Sequence, residues 1–248
     1  MGPETRRLAV AAALLTVSWP AAAQPEGLQA TILSGDAANV RAILAAGADV
    51  NGPDELGTPL HVAALRDDAA IATILLDRGA DIEAVSEPYG LRPLHVAASY
   101  GSPAVAALLL ARGAEIDPVE LSGRTPLVLA ATLGHLEVAR ALLVQGAEVD
   151  AAAKDGFTPL DFAILRGSRD LAVLLLDHGA SLEPVYVNSP TPVVKAAKAG
   201  RPELIELLVE RGAALSARDL SGRTALMEAE ACGRPEIADL LRRLGATE

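Results

Sequence analysis

Cysteine and aromatic side chains are nearly missing from this 248-residue chain, which holds one Cys, two Phe, three Tyr and one Trp. The single Cys232 excludes an intramolecular disulfide, and no structural metal replaces one. Also missing are His-Glu-x-x-His, a glycine-rich phosphate loop and Gly-x-Ser-x-Gly, so the familiar routes to metalloprotease, nucleotide and serine-hydrolase chemistry are not written in the chain. No cofactor, no metal and no catalysis are expected. Basic patches with interleaved aromatics are absent too, and the formal net charge is −11. A surface of that sign repels phosphates and anionic membrane, which argues against nucleic-acid or membrane partners. The charge serves solubility or suits a basic partner, and by itself it does not choose between them.

A long hydrophobic run is missing as well, with one partial exception at the start. Leu8 to Trp19 is uncharged and apolar, follows Arg6 and Arg7, and precedes Ala21-Ala22-Ala23. It is too short for a comfortable membrane span. The pattern predicts a secretory signal peptide over residues 1–23, cut between Ala23 and Gln24. The residues around Arg6-Arg7 match a twin-arginine signal poorly, so general export is expected, and no cysteine follows to carry a lipid anchor. The alanine-heavy style looks bacterial and points to a periplasmic or secreted protein. Cleavage would remove Glu4, Arg6 and Arg7 and move the formal charge from −11 to −12.

What the chain does have is repetition. Thr58, Arg92, Thr125, Thr158, Thr191 and Thr224 mark a period near 33 residues, and Gly-Ala keeps step at Gly47, Gly79, Gly113, Gly146, Gly179, Gly212 and Gly245. Two markers in phase predict a stacked solenoid. In its most regular stretch the unit opens on Thr125-Pro126-Leu127, with proline where a helix tolerates it. A short helix then runs toward Gly134. A second, Leu136 to Gln145, sets Val138, Leu142 and Leu143 on one face and stops at Gly146. Gly47 to Thr58 is one residue short of the usual gap and Gly79 to Arg92 one residue long, both in inter-unit loops. The loop around Glu87-Pro88-Tyr89-Gly90 and the one holding Ser189-Pro190 are expected to be non-standard, through drift or as reshaped contact loops.

Gly57-Thr58-Pro59-Leu60-His61-Val62-Ala63-Ala64, Leu94-His95-Val96-Ala97-Ala98, Gly47-Ala48-Asp49-Val50-Asn51 and Gly79-Ala80-Asp81-Ile82 resemble the ankyrin-repeat pattern over residues 24–248. The resemblance implies an all-α ankyrin-repeat solenoid of helix–turn–helix units joined by hairpin loops, with a concave binding face. About seven repeats are expected, near 24–52, 53–84, 85–118, 119–151, 152–184, 185–217 and 218–248. Residues 26–51 read as a degenerate cap. At the other end Glu228, Glu230, Arg242 and Arg243 are expected to polarise an exposed terminal face. The resemblance gives His61 and His95 a structural role, bonding the adjacent loop. His135 is expected at the surface and His178 near a helix C-terminus. Asp161 stands at a histidine position with no acid–base partner in reach by spacing, and Cys232 is expected to be small and partly buried, or exposed and able to bridge two copies.

Beyond residue 23 the aromatics are Tyr89, Tyr100, Phe157, Phe162 and Tyr186. On the ankyrin register Phe162 belongs to the packing, while Tyr89, Tyr100, Phe157 and Tyr186 take variable positions on the concave side. Arg66, Leu133 and Arg166 share the register of Tyr100, and Leu121 and Arg124 are loop neighbours of the same groove. Aromatics and arginines are the usual anchors of interfaces. These nine residues (Arg66, Tyr89, Tyr100, Leu121, Arg124, Leu133, Phe157, Arg166 and Tyr186) are the candidate partner-contacting set, against the alternative that exposed tyrosines are simply tolerated. The function expected is a non-catalytic, exported, monomeric scaffold that binds another protein. The rivals are an immunity-type protein neutralising a basic toxin and a wall-directed hydrolase.

Overall fold

The computed structural model describes residues 27–184, 189–219 and 221–247. The leader expected over residues 1–23 and Tyr186 lie outside them. The described residues form fourteen helices and no named strand. In chain order the pairs are α1 Leu28–Ser34 and α2 Ala37–Ala45, α3 Pro59–Arg66 and α4 Ala69–Asp77, α5 Pro93–Tyr100 and α6 Pro103–Ala111, α7 Pro126–Leu133 and α8 Leu136–Val144, α9 Pro159–Arg166 and α10 Arg169–Asp177, α11 Pro192–Ala199 and α12 Pro202–Glu210, and α13 Ala225–Ala231 and α14 Pro235–Arg243. Helices this short do not persist alone in water. Their ends are therefore closely tended. Proline takes the first helical position in α3, α5, α7, α9 and α11, and Thr125, Thr158 and Thr224 each accept a bond from the third helical N–H.

Stacking supplies the rest of the stability. Each first helix packs on the first helices of the adjoining units and on its own second helix. Ala63, Ala97, Ala130, Ala163, Ala196 and Ala229 occupy one equivalent position in six successive units, all wholly buried. No larger side chain would let the helix backbones approach as closely. Behind them, Leu75, Leu109, Leu142, Leu175, Leu208 and Leu241 form a continuous leucine column, each wholly buried. At roughly 1.5–3 kcal/mol for a fully buried leucine, this column is a main source of stability.

Polar ladders fix the register. Asn51 Oδ1 accepts from the Asp81 N–H at 2.7 Å, Glu83 Oε1 from Glu115 at 2.7 Å, Asp117 Oδ2 from Glu148 at 3.0 Å and Asp150 Oδ1 from Ser181 at 3.0 Å. The same step recurs four times: a side chain four residues past Gly-Ala's glycine bonds the next unit two residues past its own. His61 and His95 form a second ladder. Nδ1 of each accepts the backbone N–H of Thr58 or Arg92, and Nε2 reaches the next unit's loop at Leu91 O (2.9 Å) or Pro118 O (3.0 Å). An accepting Nδ1 fixes the neutral tautomer with its proton on Nε2. Arg92, in the threonine slot, pairs its guanidinium with Glu83 at 2.8 Å and with Glu115.

Three expectations change, and Cys232 takes the exposed one of its two alternatives. Asp161 does have a partner: Lys195 of the next unit brings Nζ to 2.7 Å from Oδ2, and the pair is largely buried. A lysine one unit along lies beyond what single-unit spacing reveals. Cys232 is exposed, because it caps α13 rather than packing inside it. Glu228 is buried rather than on an open face, and its carboxylate takes Arg223 at 3.2 Å and Lys198 at 3.5 Å. His135 is half-buried, and its Nε2 reaches Ser99 O of the preceding unit at 3.1 Å.

Candidate protein-binding surface

The loops between units project as hairpins beside the first helices. In the regular form, Glu120 N–H donates to Arg124 O (3.2 Å) and Gly123 N–H to Glu120 O (2.8 Å). The preceding loop, one residue longer, closes with Ser86 N–H on Leu91 O (2.8 Å) and Gly90 N–H on Ser86 O (3.0 Å), and contains a cis Glu87-Pro88 bond. The extra residue lifts Tyr89 to the hairpin tip, 40% exposed. Adjacent tips are tied together: Leu121 N–H donates to Tyr89 O (3.1 Å), Lys154 N–H to Ser122 O (3.1 Å) and Lys154 Nζ to Leu121 O (2.8 Å).

Between these tips and the first helices of units two to four lies a recess of about 220 Å³. Its walls include Tyr89, Pro88 and Leu91 from the long hairpin, Tyr100 and Val96 from α5, and Leu65 from α3, with Arg124 at one edge. Tyr100 is half-buried, and that burial pushes its phenol pKa up. Arg124 is not free to swing, since its Nε holds Glu120 Oε1 at 2.9 Å. Burial pushes the Glu120 carboxyl up, but the bonds from the Arg124 side chain and from the Ser122 and Arg124 N–H groups outweigh it, so its pKa is lowered overall. The recess is thus mainly apolar, with two tyrosines in its walls and the carboxylates of Glu55 and Glu87 and the held Arg124 guanidinium among its lining. That shape can receive an apolar side chain. The described residues contain no group of three or more His, Cys, Asp or Glu arranged to hold a metal ion, and no described helix is long and apolar enough to cross a membrane.

Four of the nine sequence-derived candidates come together here: Tyr89, Tyr100 and Arg124 in the wall and Leu121, 62% exposed, on the adjoining tip. Phe157 sits two units along. Its ring centroid is 5.6 Å from that of Phe162, and Lys195 Nζ is 5.6 Å from the centre of the ring. Phe162 is half-buried against the core, as expected. Leu133 is half-buried at the end of α7 and does not line this recess.

The two arginines turn out to face their neighbours. Arg166 Nη1 donates to Thr132 O at 3.0 Å and its guanidinium lies over Gly134, while Arg66 lies over Gly35. Arg201 bonds Leu165 O at 2.7 Å over Gly167, and His135 does the same at Gly101. A positive or donor side chain from one unit therefore covers the C-terminus of the previous unit's first helix, where loose carbonyls and the helix dipole favour it. Leu65, Val96 and Leu129 were not among the candidates. The signal that could have found Val96 and Leu129 is the position four residues past each threonine marker, which runs Val62, Val96, Leu129, Phe162, Lys195, Glu228. It is apolar for four units and charged for two.

A family model described as ankyrin repeats (three copies) matches residues 28–120, 94–185 and 182–247. No curated protein matches the chain. Among solved structures, the crystal structure of the ankyrin repeat domain of Bcl-3, described as a unique member of the IkappaB protein family, is similar with a TM-score of 0.77 and 26% identity. The match covers 89% of this chain and 100% of that one. Ankyrin repeats generally mediate protein–protein interaction, and proteins built from them are typically non-catalytic scaffolds. With the family model spanning nearly the whole described array, the chain belongs to the ankyrin-repeat family.

Proposed function

We propose that this protein is an exported, non-catalytic scaffold, monomeric in solution, that holds a partner protein on its concave face and hairpin tips. The recess between units two and four carries the proposal. A chain with five aromatics after residue 23 sets two of them, Tyr89 and Tyr100, around one apolar opening. Tyr89 stands outside the core, and Tyr100 packs one side against the core while the other lines the opening. Aromatic walls around an apolar hollow are the usual energetic centre of an interface. Leu121 and Phe157 extend the contact along the tips, and Tyr186 is assigned to the same loop series by its register. The leader over residues 1–23, with its Ala21-Ala22-Ala23 cleavage signal, supports export to the periplasm or beyond.

Two measurements test the proposal. Mass analysis of the full-length chain expressed in a Gram-negative host is expected to show a mature protein beginning at Gln24 in the periplasmic fraction. An uncleaved, cytosolic chain would overturn the export claim. A Tyr89→Ala, Tyr100→Ala double variant is expected to lose capture of the partner that wild type retains from its native extract, while its helical circular dichroism at the assay temperature stays that of wild type. Undiminished capture would remove the recess from the interface.

A further inference from the structure

Lysine occurs three times in the whole chain, at Lys154, Lys195 and Lys198; arginine supplies every other basic side chain. All three lysines line one open cavity of about 730 Å³ between units five and six. Its walls use the same register positions as the aromatic recess, the hairpin tip and the exposed side of the first helices, so it belongs to the same face. Phe157 and Leu165 supply apolar surface within it, and Leu165 is 44% exposed.

The charges there do not cancel. Lys195 is spent on Asp161 at 2.7 Å. Lys198 lies 3.5 Å from Glu228, a carboxylate already bonded by Arg223 at 3.2 Å, and its side chain is 66% exposed. Lys154 is exposed and donates only to a neutral carbonyl, Leu121 O. Asp155, on the same rim, is turned back onto its own loop, accepting from Phe157 N–H at 3.1 Å. Of the charged side chains that line the cavity, three are lysines and one is a carboxylate, Asp155, in a chain whose formal net charge is −11. Elsewhere Arg92 and Arg211 are fixed on carboxylates and Arg166 and Arg201 on helix carbonyls by arginine's rigid fork. Lysine is a mobile point charge with donors to spare and suits a carboxylate whose approach angle is not predetermined.

The geometry points to a second subsite on the concave face: the cavity between units five and six binds an acidic segment of a protein partner, with an apolar side chain on Phe157 and Leu165 and flanking Asp or Glu carboxylates on Lys154 and Lys198. Lys195 is a positioning residue, held by Asp161 and supporting the Phe157 ring from one side. The inference rests on the reading of the concave face as a protein-binding surface, and it adds the chemistry of the partner at this end.

A displayed random-peptide library, panned on the purified mature protein, tests it. Wild type is expected to enrich peptides with Asp or Glu on both sides of an apolar residue. Lys154→Gln, Lys198→Gln protein, in which an amide donor can still reach Leu121 O and no carboxylate is set against Glu228, is expected to bind the enriched peptides at least about tenfold more weakly with a melting temperature close to wild type. Added salt should weaken wild-type binding in step. Enriched peptides that are neutral or basic, or acidic ones insensitive to the two lysines, would overturn the subsite. So would a fluorescent oligothymidylate that binds wild type better than the selected peptides do. Peptides that depend on Tyr89 and Tyr100 with no acidic bias would overturn it while leaving the concave-face function standing. Failure of partner capture by wild type itself would instead strike at the function.

Discussion

Gly134 ends α7 at φ +82°, and an added Cβ would stand 2.8 Å from Arg166 Nε. Gly146 ends α8 at φ +91° with nothing within 4 Å of the same imagined atom. Alanine at Gly146 meets only the left-handed backbone cost, about 1–2 kcal/mol. At Gly134 it must also push Arg166 off the Thr132 carbonyl, a further loss of about 0.5–1.5 kcal/mol. Urea denaturation of Gly134→Ala is therefore expected to show the larger loss, and the excess should vanish in an Arg166→Ala background. Equal losses would mean that the guanidinium moves aside freely. The buried histidines make a different claim. Burial lowers the pKa of His61 and His95 below the ordinary 6.5, only partly offset by their bonds to Leu91 O and Pro118 O. Folded protein takes up these protons at lower pH than the unfolded chain does, so their stabilisation is whole above about pH 6.5 and declines as pH falls toward the depressed values. Val128 fills the same position in the fourth unit, so His95→Val is expected to fold, to be less stable at neutral pH, and to lose less stability than wild type on acidification below 6.5. Asp117 and Asp150, whose pKa values burial raises, act in the opposite sense from 3.8 upward. They are common to both proteins and cancel in the comparison. A parallel pair of stability–pH curves would sink the histidine assignment.

Between elements, the most telling contact is a helix cap supplied from the neighbouring unit. Asp67 follows α3 in a left-handed conformation, φ +56°, where the other first helices mostly end on glycine. Its Oδ1 accepts the Val105 N–H at 2.9 Å, an orphan donor in the first turn of α6 that Ser102 leaves uncapped. Aspartate tolerates the left-handed region better than most residues, and the carboxylate complements the start of the helix. Asn at position 67 keeps the bond and loses a few tenths to about 1 kcal/mol of charge–dipole attraction. Gly gives up the cap but relieves the backbone, and Ala gives up both. Melting temperatures are expected to fall in the order Asp, Asn, Gly, Ala, and the Val105 amide should exchange faster in the last two; Ala matching Gly would show that the backbone is unstrained. Asp67 also shows where legibility stops. Phase, turn residues and helix faces could be read from the chain because they repeat within one unit, and the long hairpin at Tyr89 announced itself as an extra residue. Apart from the histidine bonds that the repeat pattern implies, the inter-unit contacts could not, since Asp67–Val105, Asp161–Lys195 and Arg166–Thr132 pair residues more than thirty positions apart through side chains that vary from unit to unit. Arg66 and Arg166 were legible as concave-register residues but not as covers for the neighbouring helix end.

Across the whole molecule, stability is shared along a line rather than around a centre, because each unit touches only those before and after it. The leucine column makes this testable. Leu142 in the fourth unit and Leu241 in the seventh are both wholly buried, so local burial alone predicts similar losses on truncation, about 2–5 kcal/mol each. A linear array predicts otherwise. Loss of Leu142 weakens the unit through which the two halves are coupled, and the full cost should appear in the main unfolding transition. Loss of Leu241 can be met by letting α13 and α14 detach, so the main transition shifts only by what the last unit contributed. Hydrogen exchange resolves the two cases. With Leu241→Ala, protection should drop in α13 and α14 while α7 to α10 stay close to wild type. With Leu142→Ala it should drop throughout. If Leu241→Ala lowered protection evenly across all units, the array would be a single cooperative body, and the two concave subsites, one aromatic and one lysine-lined, would open and close together. If protection instead falls only at the end, the lysine cavity lies nearer the loosening edge than the tyrosine recess does, and Leu241→Ala should weaken binding at the former while sparing the latter.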